Sequence, residues 1–86
     1  MHVKKIEVGP EKYFKFKMRC ARFDDMEVTA STHQDVDYLK SEFGKKFEVK
    51  TENVRLFYNG KEMVCGYQIG NFKVDQDCVV QVFCSS

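Results

Sequence analysis

Cysteine and histidine are the residues of this chain best suited to redox, metal or nucleophilic chemistry. The cysteines are Cys20, Cys65, Cys78 and Cys84. They include no Cys-x-x-Cys pair and lack the plant-type iron–sulfur spacing, so we expect neither a metal site nor a cluster. Cysteine catalysis would need a base, but His2 lies near the chain terminus and His33 just before a predicted helix. We therefore expect no enzyme activity, no metal and no cofactor.

The same four cysteines raise the question of whether the chain contains disulfide bonds. Disulfide frameworks are typical of secreted chains, and residues 1–12 lack the continuous apolar segment of a signal peptide. We therefore expect four free thiols. Cys20 and Cys84 are the one pair with a chance of bonding, because the fold predicted below places the first and last strands side by side. Even so, we expect their sulfurs to be offset along the strands.

Length, composition and net charge limit the classes of protein to which this chain can belong. The chain has 86 residues, 43% hydrophobic and 31% charged, which is enough for one globular domain. Its net charge of +1 leaves no global field to hold nucleic acid or an anionic membrane. No apolar run approaches the ~18 residues of a membrane span. We expect an intracellular protein, cytoplasmic or nuclear, that binds neither nucleic acid nor membrane.

The first half of the chain predicts an arm, a hairpin and a helix. Residues 1–12 mix charged and apolar side chains and break at Gly9-Pro10, which predicts an N-terminal arm before a domain of residues 13–86. Strict alternation over residues 14–20 and 26–30 predicts an antiparallel pair of strands. Apolar residues at helical spacing predict a helix from Val36 to Phe43, with Phe47 as its latest end. Thr32 or Asp35 would cap its start, and Gly44 would stop it.

The second half predicts a hairpin and a closing strand. Residues 54–58 are rich in β-formers and lead into Asn59-Gly60, the dipeptide best suited to a type I′ turn. A short strand from Lys61 follows, and residues 79–84 form the last strand. One helix against a mixed sheet of four to five strands is the β-grasp roll of the α+β class.

At this point the chain resembles the ubiquitin family. Residues 14–86 align with ubiquitin without a gap, and Arg-Leu-Phe-Tyr-Asn-Gly-Lys-Glu-Met at residues 55–63 is similar to the family's Arg-Leu-Ile-Phe-Ala-Gly-Lys-Gln-Leu. Fainter similarities point to the SUMO branch and to the ubiquitin-like domains of nuclear RING ligases. The sequence ends in Cys-Ser-Ser where conjugated modifiers end in Gly-Gly, so we expect no conjugation from this end.

The resemblance also implies a binding surface. Ubiquitin carries a small apolar patch on its exposed sheet face, and the matching positions here are Ala21, Phe57, Gln81 and Phe83. Alternation independently places Phe57 and Phe83 on the face without the helix, since Leu56 and Val82 point inward. One alternative is scattered apolar surface, or an arm of residues 1–12 folded over the phenylalanines.

Basic residues surround these positions: Lys15, Lys17, Arg19, Arg55 and Lys61. They are either a solvated face, with Lys17 opposite Glu27 and Arg19 opposite Asp25, or a rim that selects acid-flanked partners.

Together these features predict a non-enzymatic interaction domain of the ubiquitin pathway, a module of a larger protein. We expect it to be monomeric and to bind an apolar helix or strand with acidic flanks. Two alternatives remain open: a modifier cut before its Gly-Gly, or a scaffold that self-associates through Lys15 and Lys17 of its first strand.

Overall fold

The computed structural model describes residues 8–85. The strands are β1 (Tyr13–Arg19), β2 (Met26–Ser31), β3 (Val54–Tyr58), β4 (Lys61–Glu62) and β5 (Val79–Cys84), and the helix is α1 (Val36–Phe47). Short 3₁₀ segments cover Thr51–Asn53 and Ile69–Phe72. The sheet has five strands in the order β2-β1-β5-β3-β4, with β1 and β5 parallel and every other neighbouring pair antiparallel. This mixed sheet with one helix confirms the predicted β-grasp fold.

One face of the sheet and one stripe of the helix enclose the core. Burial alternates along β1, where Phe14, Phe16 and Met18 point inward and the residues between them are exposed. The helix contributes Val36, Leu39 and Phe43, each with no exposed surface. Leu56 and Val82, which the sequence predicts to point inward, are both buried, and Cys20, Val54 and Phe72 are further core residues.

The helix α1 begins at the predicted residue and ends at the latest predicted one, but the predicted role of Gly44 is wrong. Gly44 does not stop the helix, which continues to Phe47 and ends at Glu48 in the left-handed conformation (φ 57°). Gly44 is buried inside the helix, where a Cβ atom would lie 2.5 Å from the Val49 carbonyl oxygen. Close approach of the following chain explains this glycine, so predicting a stop signal was wrong. Asp35 is the N-cap residue, but its side chain makes no capping hydrogen bond.

The β3–β4 hairpin has the predicted turn. Asn59 and Gly60 have φ angles of 56° and 81°, the two consecutive positive values that a type I′ turn requires. The turn sets the pairing of Phe57 with Glu62 and of Tyr58 with Lys61. It therefore places Glu62 on the same sheet face as Phe57.

Residues 8–12 run beside the start of β1. The Lys12 amide donates to Thr32 Oγ1 at 3.1 Å, and the Thr32 amide donates to the Lys12 carbonyl at 3.0 Å. His33 Nε2 lies 2.8 Å from the Gly9 carbonyl oxygen. These contacts attach the described part of the arm to the end of β2, whereas residues 1–7 lie outside the described range. Within residues 8–85, no helix is long and apolar enough to cross a membrane.

Candidate functional site

Two phenylalanines meet on the sheet face opposite the helix. The rings of Phe57 and Phe83 pack edge to face, with their centroids 5.3 Å apart and their planes at 84°. Phe83 keeps 56% of its surface exposed, while Phe57 is half-buried. Alternation predicts the face correctly, but it cannot show that the two rings contact each other.

Strand register brings this aromatic pair together. In the β3–β5 ladder Arg55 lies opposite Phe83 and Phe57 lies opposite Gln81, so the two rings are diagonal neighbours on one face. Diagonal neighbours are within reach of each other when the side chains are aromatic. Leu56 and Val82 point into the core from the same two strands and anchor the register.

The residues next to the aromatic pair are less apolar. Gln81 is half-buried, and its Nε2 donates a hydrogen bond of 3.1 Å to the Arg19 carbonyl oxygen, which fixes the side chain across β1 and β5. Ala21 is exposed in the turn after β1. We call Ala21, Phe57, Gln81 and Phe83 the sheet-face patch.

Sequence reasoning missed Val79 as a surface residue. Its side chain is 39% exposed on the same face of β5, two residues before Gln81. The signal was present, because Val79, Gln81 and Phe83 share one parity of the strand. The apolar neighbour Val80 hid it, since two consecutive valines show no alternation.

Arg19 and Arg55, the two arginines predicted to border the patch, are each bound by a carboxylate. Arg55 donates from Nε and Nη2 to Glu62 at 3.1 and 2.9 Å, and its guanidinium carbon lies 5.2 Å from the centre of the Phe57 ring. Arg19 donates in the same two-bond manner to Asp25 at 3.2 and 3.0 Å. These hydrogen bonds lower the pKa of both the Glu62 and Asp25 carboxyls and raise the pKa of both guanidinium groups.

The lysines differ from the arginines. Among residues 8–85, Lys15, Lys17 and Lys61 form no ion pair within 4.0 Å, and all three are exposed. Lys17 lies opposite Glu27 in the β1–β2 ladder, as alternation predicts, without closing a salt bridge. Positive charge available to a partner therefore resides on the lysines and on Arg22, which is exposed and forms no ion pair within residues 8–85, while the charges of Arg19 and Arg55 are compensated within the domain.

The described part of the arm lies away from the patch. Residues 8–12 contact Thr32 and His33 beside the start of β1, whereas Ala21 follows its other end and Phe83 lies toward the end of the parallel strand β5. A seven-residue strand spans about 20 Å. Residues 8–12 therefore leave both phenylalanine rings uncovered.

The four cysteines are free thiols with different neighbours. The prediction that the sulfurs of Cys20 and Cys84 are offset is wrong, because these sulfurs lie only 3.7 Å apart. Cys65 is exposed, with Lys40 Nζ at 3.3 Å from its sulfur. Cys78 Sγ lies 2.9 Å from Tyr58 Oη, a contact that raises the pKa of the tyrosine. In the part of the chain that the structure describes, no group of three His, Cys, Asp or Glu side chains is placed to hold a metal ion.

Comparison with known proteins agrees with this architecture. The sequence profile of the ubiquitin family matches residues 15–86, which is most of the chain and every strand and helix of the structure except the first two residues of β1. No curated protein sequence matches the chain. The fold and the profile match together show that this chain belongs to the ubiquitin family.

Proposed function

We propose that this domain is a non-enzymatic interaction module of a larger protein in the ubiquitin pathway, and that it binds a protein partner through the sheet-face patch. The exposed, edge-to-face pair of Phe57 and Phe83 is the observation that carries the proposal. Aromatic side chains are enriched at the centres of protein interfaces, because they bury a large apolar area with little loss of side-chain freedom. An intracellular location, cytoplasmic or nuclear, is part of the same proposal.

The shape of the aromatic pair favours one kind of contact. Phe83 is the more exposed ring and would be buried most deeply by a partner, while Phe57 supports it from the side. The Arg55–Glu62 pair fixes the guanidinium beside the Phe57 ring, so this wall of the site is pre-ordered. A partner helix or strand that places one or two apolar side chains against Phe83 would match this surface.

Charge on the patch face indicates a second property of the partner. Lys15 and Lys17 lie on this face of β1, and no carboxylate of residues 8–85 neutralises them through an ion pair. Lys61 lies opposite Tyr58 in the hairpin and therefore belongs to the other face of the sheet. Acidic residues flanking the apolar contact would therefore be attracted, with an effect mainly on the association rate. Salt should weaken that attraction, because these side chains are exposed.

The test compares wild-type domain with Phe83→Ala and with Tyr13→Ala. Tyr13 is the matched control, because it is an aromatic side chain with 71% exposure in β1, at the end of that strand away from Ala21. Proteins retained by the wild type and lost with Phe83→Ala are identified by mass spectrometry, purified, and titrated into isotope-labelled domain by NMR. We expect the partner to shift the amide signals of Phe57, Gln81 and Phe83.

The affinity of the purified partner for each variant decides between the possible outcomes. Phe83→Ala should weaken binding by about tenfold or more, the size of effect expected of an interface hot spot, whereas Tyr13→Ala should leave it unchanged. Purified partners that bind both variants equally, or that shift signals only on α1 and β2, would refute the proposed surface.

A further inference from the structure

The thiols of Cys20 and Cys84 are adjacent although 63 residues separate them in sequence. Cys20 directly follows β1 and Cys84 ends the neighbouring parallel strand β5. The last paired residues are Arg19 and Gln81, so Cys20 lies one residue and Cys84 three residues beyond them, and the two sulfurs are 3.7 Å apart. A disulfide bond is about 2.05 Å long, so rotation of the side chains has to close a gap of less than about 2 Å. The two side chains therefore already hold the sulfurs near bonding distance.

We propose that Cys20 and Cys84 form an oxidisable pair, which a low-molecular-weight disulfide converts into an intramolecular disulfide joining the end of β1 to the end of β5. This proposal concerns the chain itself and does not depend on the proposed function. The bond would form next to the sheet-face patch, since Cys20 precedes Ala21 and Cys84 follows Phe83.

The different exposure of the two thiols determines which of them reacts first. Cys84 is partly exposed, whereas only 5% of the Cys20 surface is accessible. A cavity of about 120 Å³ opens between the turn after β1 and the end of β5, and both cysteines line it. The small disulfide should therefore meet Cys84 first.

The chemistry is thiol–disulfide exchange in two steps. The Cys84 thiolate attacks one sulfur of the small disulfide, forms a mixed disulfide and releases one small thiolate. Cys20 then loses its proton to solvent and attacks Cys84 Sγ, which expels the second small thiolate. The two cysteines are oxidised and the small disulfide is reduced to two thiols.

Neighbouring groups set the rate of the first step. Arg22 Nη1 lies 4.0 Å from Cys84 Sγ and is placed to stabilise the thiolate. Burial and the contact with Cys20 outweigh the guanidinium and raise the pKa of the Cys84 thiol. The reaction should therefore be slow at neutral pH and accelerate as the pH rises, because only the thiolate attacks.

The other two cysteines provide an internal contrast. Cys65 and Cys78 lie beside Lys40 and Tyr58, and the sulfur contacts within 4.0 Å that the structure describes for them include no second sulfur. A small disulfide can take Cys65 only as far as a mixed disulfide. Replacing both by serine isolates the Cys20–Cys84 pair, and serine keeps a hydroxyl where Cys78 meets Tyr58.

The experiment incubates the full chain carrying Cys65→Ser and Cys78→Ser with oxidised glutathione over a range of pH, and follows the intact mass. We expect a monomer that has lost two hydrogen atoms, with Cys20 and Cys84 linked in its peptide map. Its melting temperature should rise by roughly 10 °C, because the bond closes a long loop in the unfolded chain. Dithiothreitol should restore the reduced mass and the original melting temperature.

Two controls keep the proposal falsifiable. Adding Cys20→Ala should stop the reaction at a mixed disulfide on Cys84, and peptide mapping of oxidised wild-type chain should give the same linkage without any substitution. Persistence of the mixed disulfide with Cys20 present, or formation of a disulfide-linked dimer instead, would overturn the proposal.

Discussion

The rings of Phe83 in β5 and Phe57 in β3 pack edge to face across the two strands, with their centroids 5.3 Å apart. Neither residue is near the other in sequence, and their contact exists only because β5 enters the sheet between β1 and β3. The aromatic surface is therefore a product of the topology, and it forms when the last strand joins the sheet. The patch is therefore assembled only once the sheet has folded completely.

Substitutions on the two faces of β3 and β5 should separate folding from binding. Phe83→Ala should lower the free energy of unfolding by less than about 1.5 kcal/mol, because it removes an aromatic contact from a largely exposed residue. Leu56→Ala should cost about 2 to 5 kcal/mol, because Leu56 has no exposed surface. Urea denaturation followed by circular dichroism measures both values.

Phe57→Ala tests the intermediate case. Phe57 is half-buried under Phe83 and beside Arg55, so its loss should cost more than that of Phe83 and less than that of Leu56. An unfolding cost for Phe83→Ala as large as that of Leu56→Ala would place Phe83 in the core and contradict the assignment of this face.

Much of the fold could be predicted from local patterns. Alternation in β1 and β2 and the apolar stripe from Val36 to Phe43 determine which faces are buried, because burial is the largest favourable term and follows the period of each element. Asn59-Gly60 determines the hairpin register through two positive φ angles. The faces carrying Phe57 and Phe83 follow from these patterns.

Long-range contacts could not be predicted in the same way. The Cys20–Cys84 distance depends on how far β5 slides along β1, and no local pattern reports that parallel register. The bidentate pairing of Arg55 with Glu62 depends on side-chain rotamers across a hairpin. The role of Gly44 depends on the Val49 carbonyl, which returns over the helix after the chain turns at Glu48.

Gly44→Ala should lower the free energy of unfolding, whereas replacing a helical glycine by alanine usually raises it. Alanine is ordinarily the better helix former by about 1 kcal/mol, but here its Cβ would lie 2.5 Å from the Val49 carbonyl oxygen. The backbone must shift to relieve this overlap, and the Val49 amide donates to the Gly44 carbonyl at 3.0 Å, so that hydrogen bond is disturbed as well. We expect a net loss of about 1 to 3 kcal/mol.

Ser41→Ala is the matched control for Gly44→Ala, since Ser41 lies one turn earlier in α1 and is not fully buried. It should leave the free energy of unfolding unchanged or raise it by a few tenths of a kcal/mol. Thermal and urea denaturation measure the stability of both variants. A Gly44→Ala protein more stable than wild type would show that the chain after α1 adapts freely and that glycine is not required there.

The Asn59-Gly60 turn should tolerate glycine better than alanine. Asn59 has a φ of 56°, which asparagine adopts with little strain and alanine does not. Asn59→Ala should lower the free energy of unfolding by about 1 kcal/mol, while Asn59→Gly should stay within about 0.5 kcal/mol of wild type. The difference between the variants isolates backbone strain, because both remove the same side-chain amide. Equal stability of the two would mean that the turn relaxes to another type.

Acid should remove the contribution of the two arginine–carboxylate pairs. The pKa values of Asp25 and Glu62 are lowered in the folded state, chiefly by the hydrogen bonds from Arg19 and Arg55. A carboxyl group whose pKa falls on folding stabilises the protein above its unfolded-state pKa, and this stabilisation is lost as the pH falls through the folded-state value. The effect should be small, because both pairs are exposed to solvent.

The measurement is the melting temperature of wild type and of the double variant Asp25→Asn, Glu62→Gln between about pH 6 and about pH 3. Wild type should be the more stable at the upper end, and the two curves should converge as acid protonates the wild-type carboxyls. Asp24→Asn with Glu52→Gln is the control, since both residues are exposed and neither forms an ion pair within residues 8–85. Curves that keep the same separation down to the lowest pH would mean that ionisation of the two carboxyls contributes nothing to folding. High salt should reduce the separation at the upper end, because it screens exposed charges.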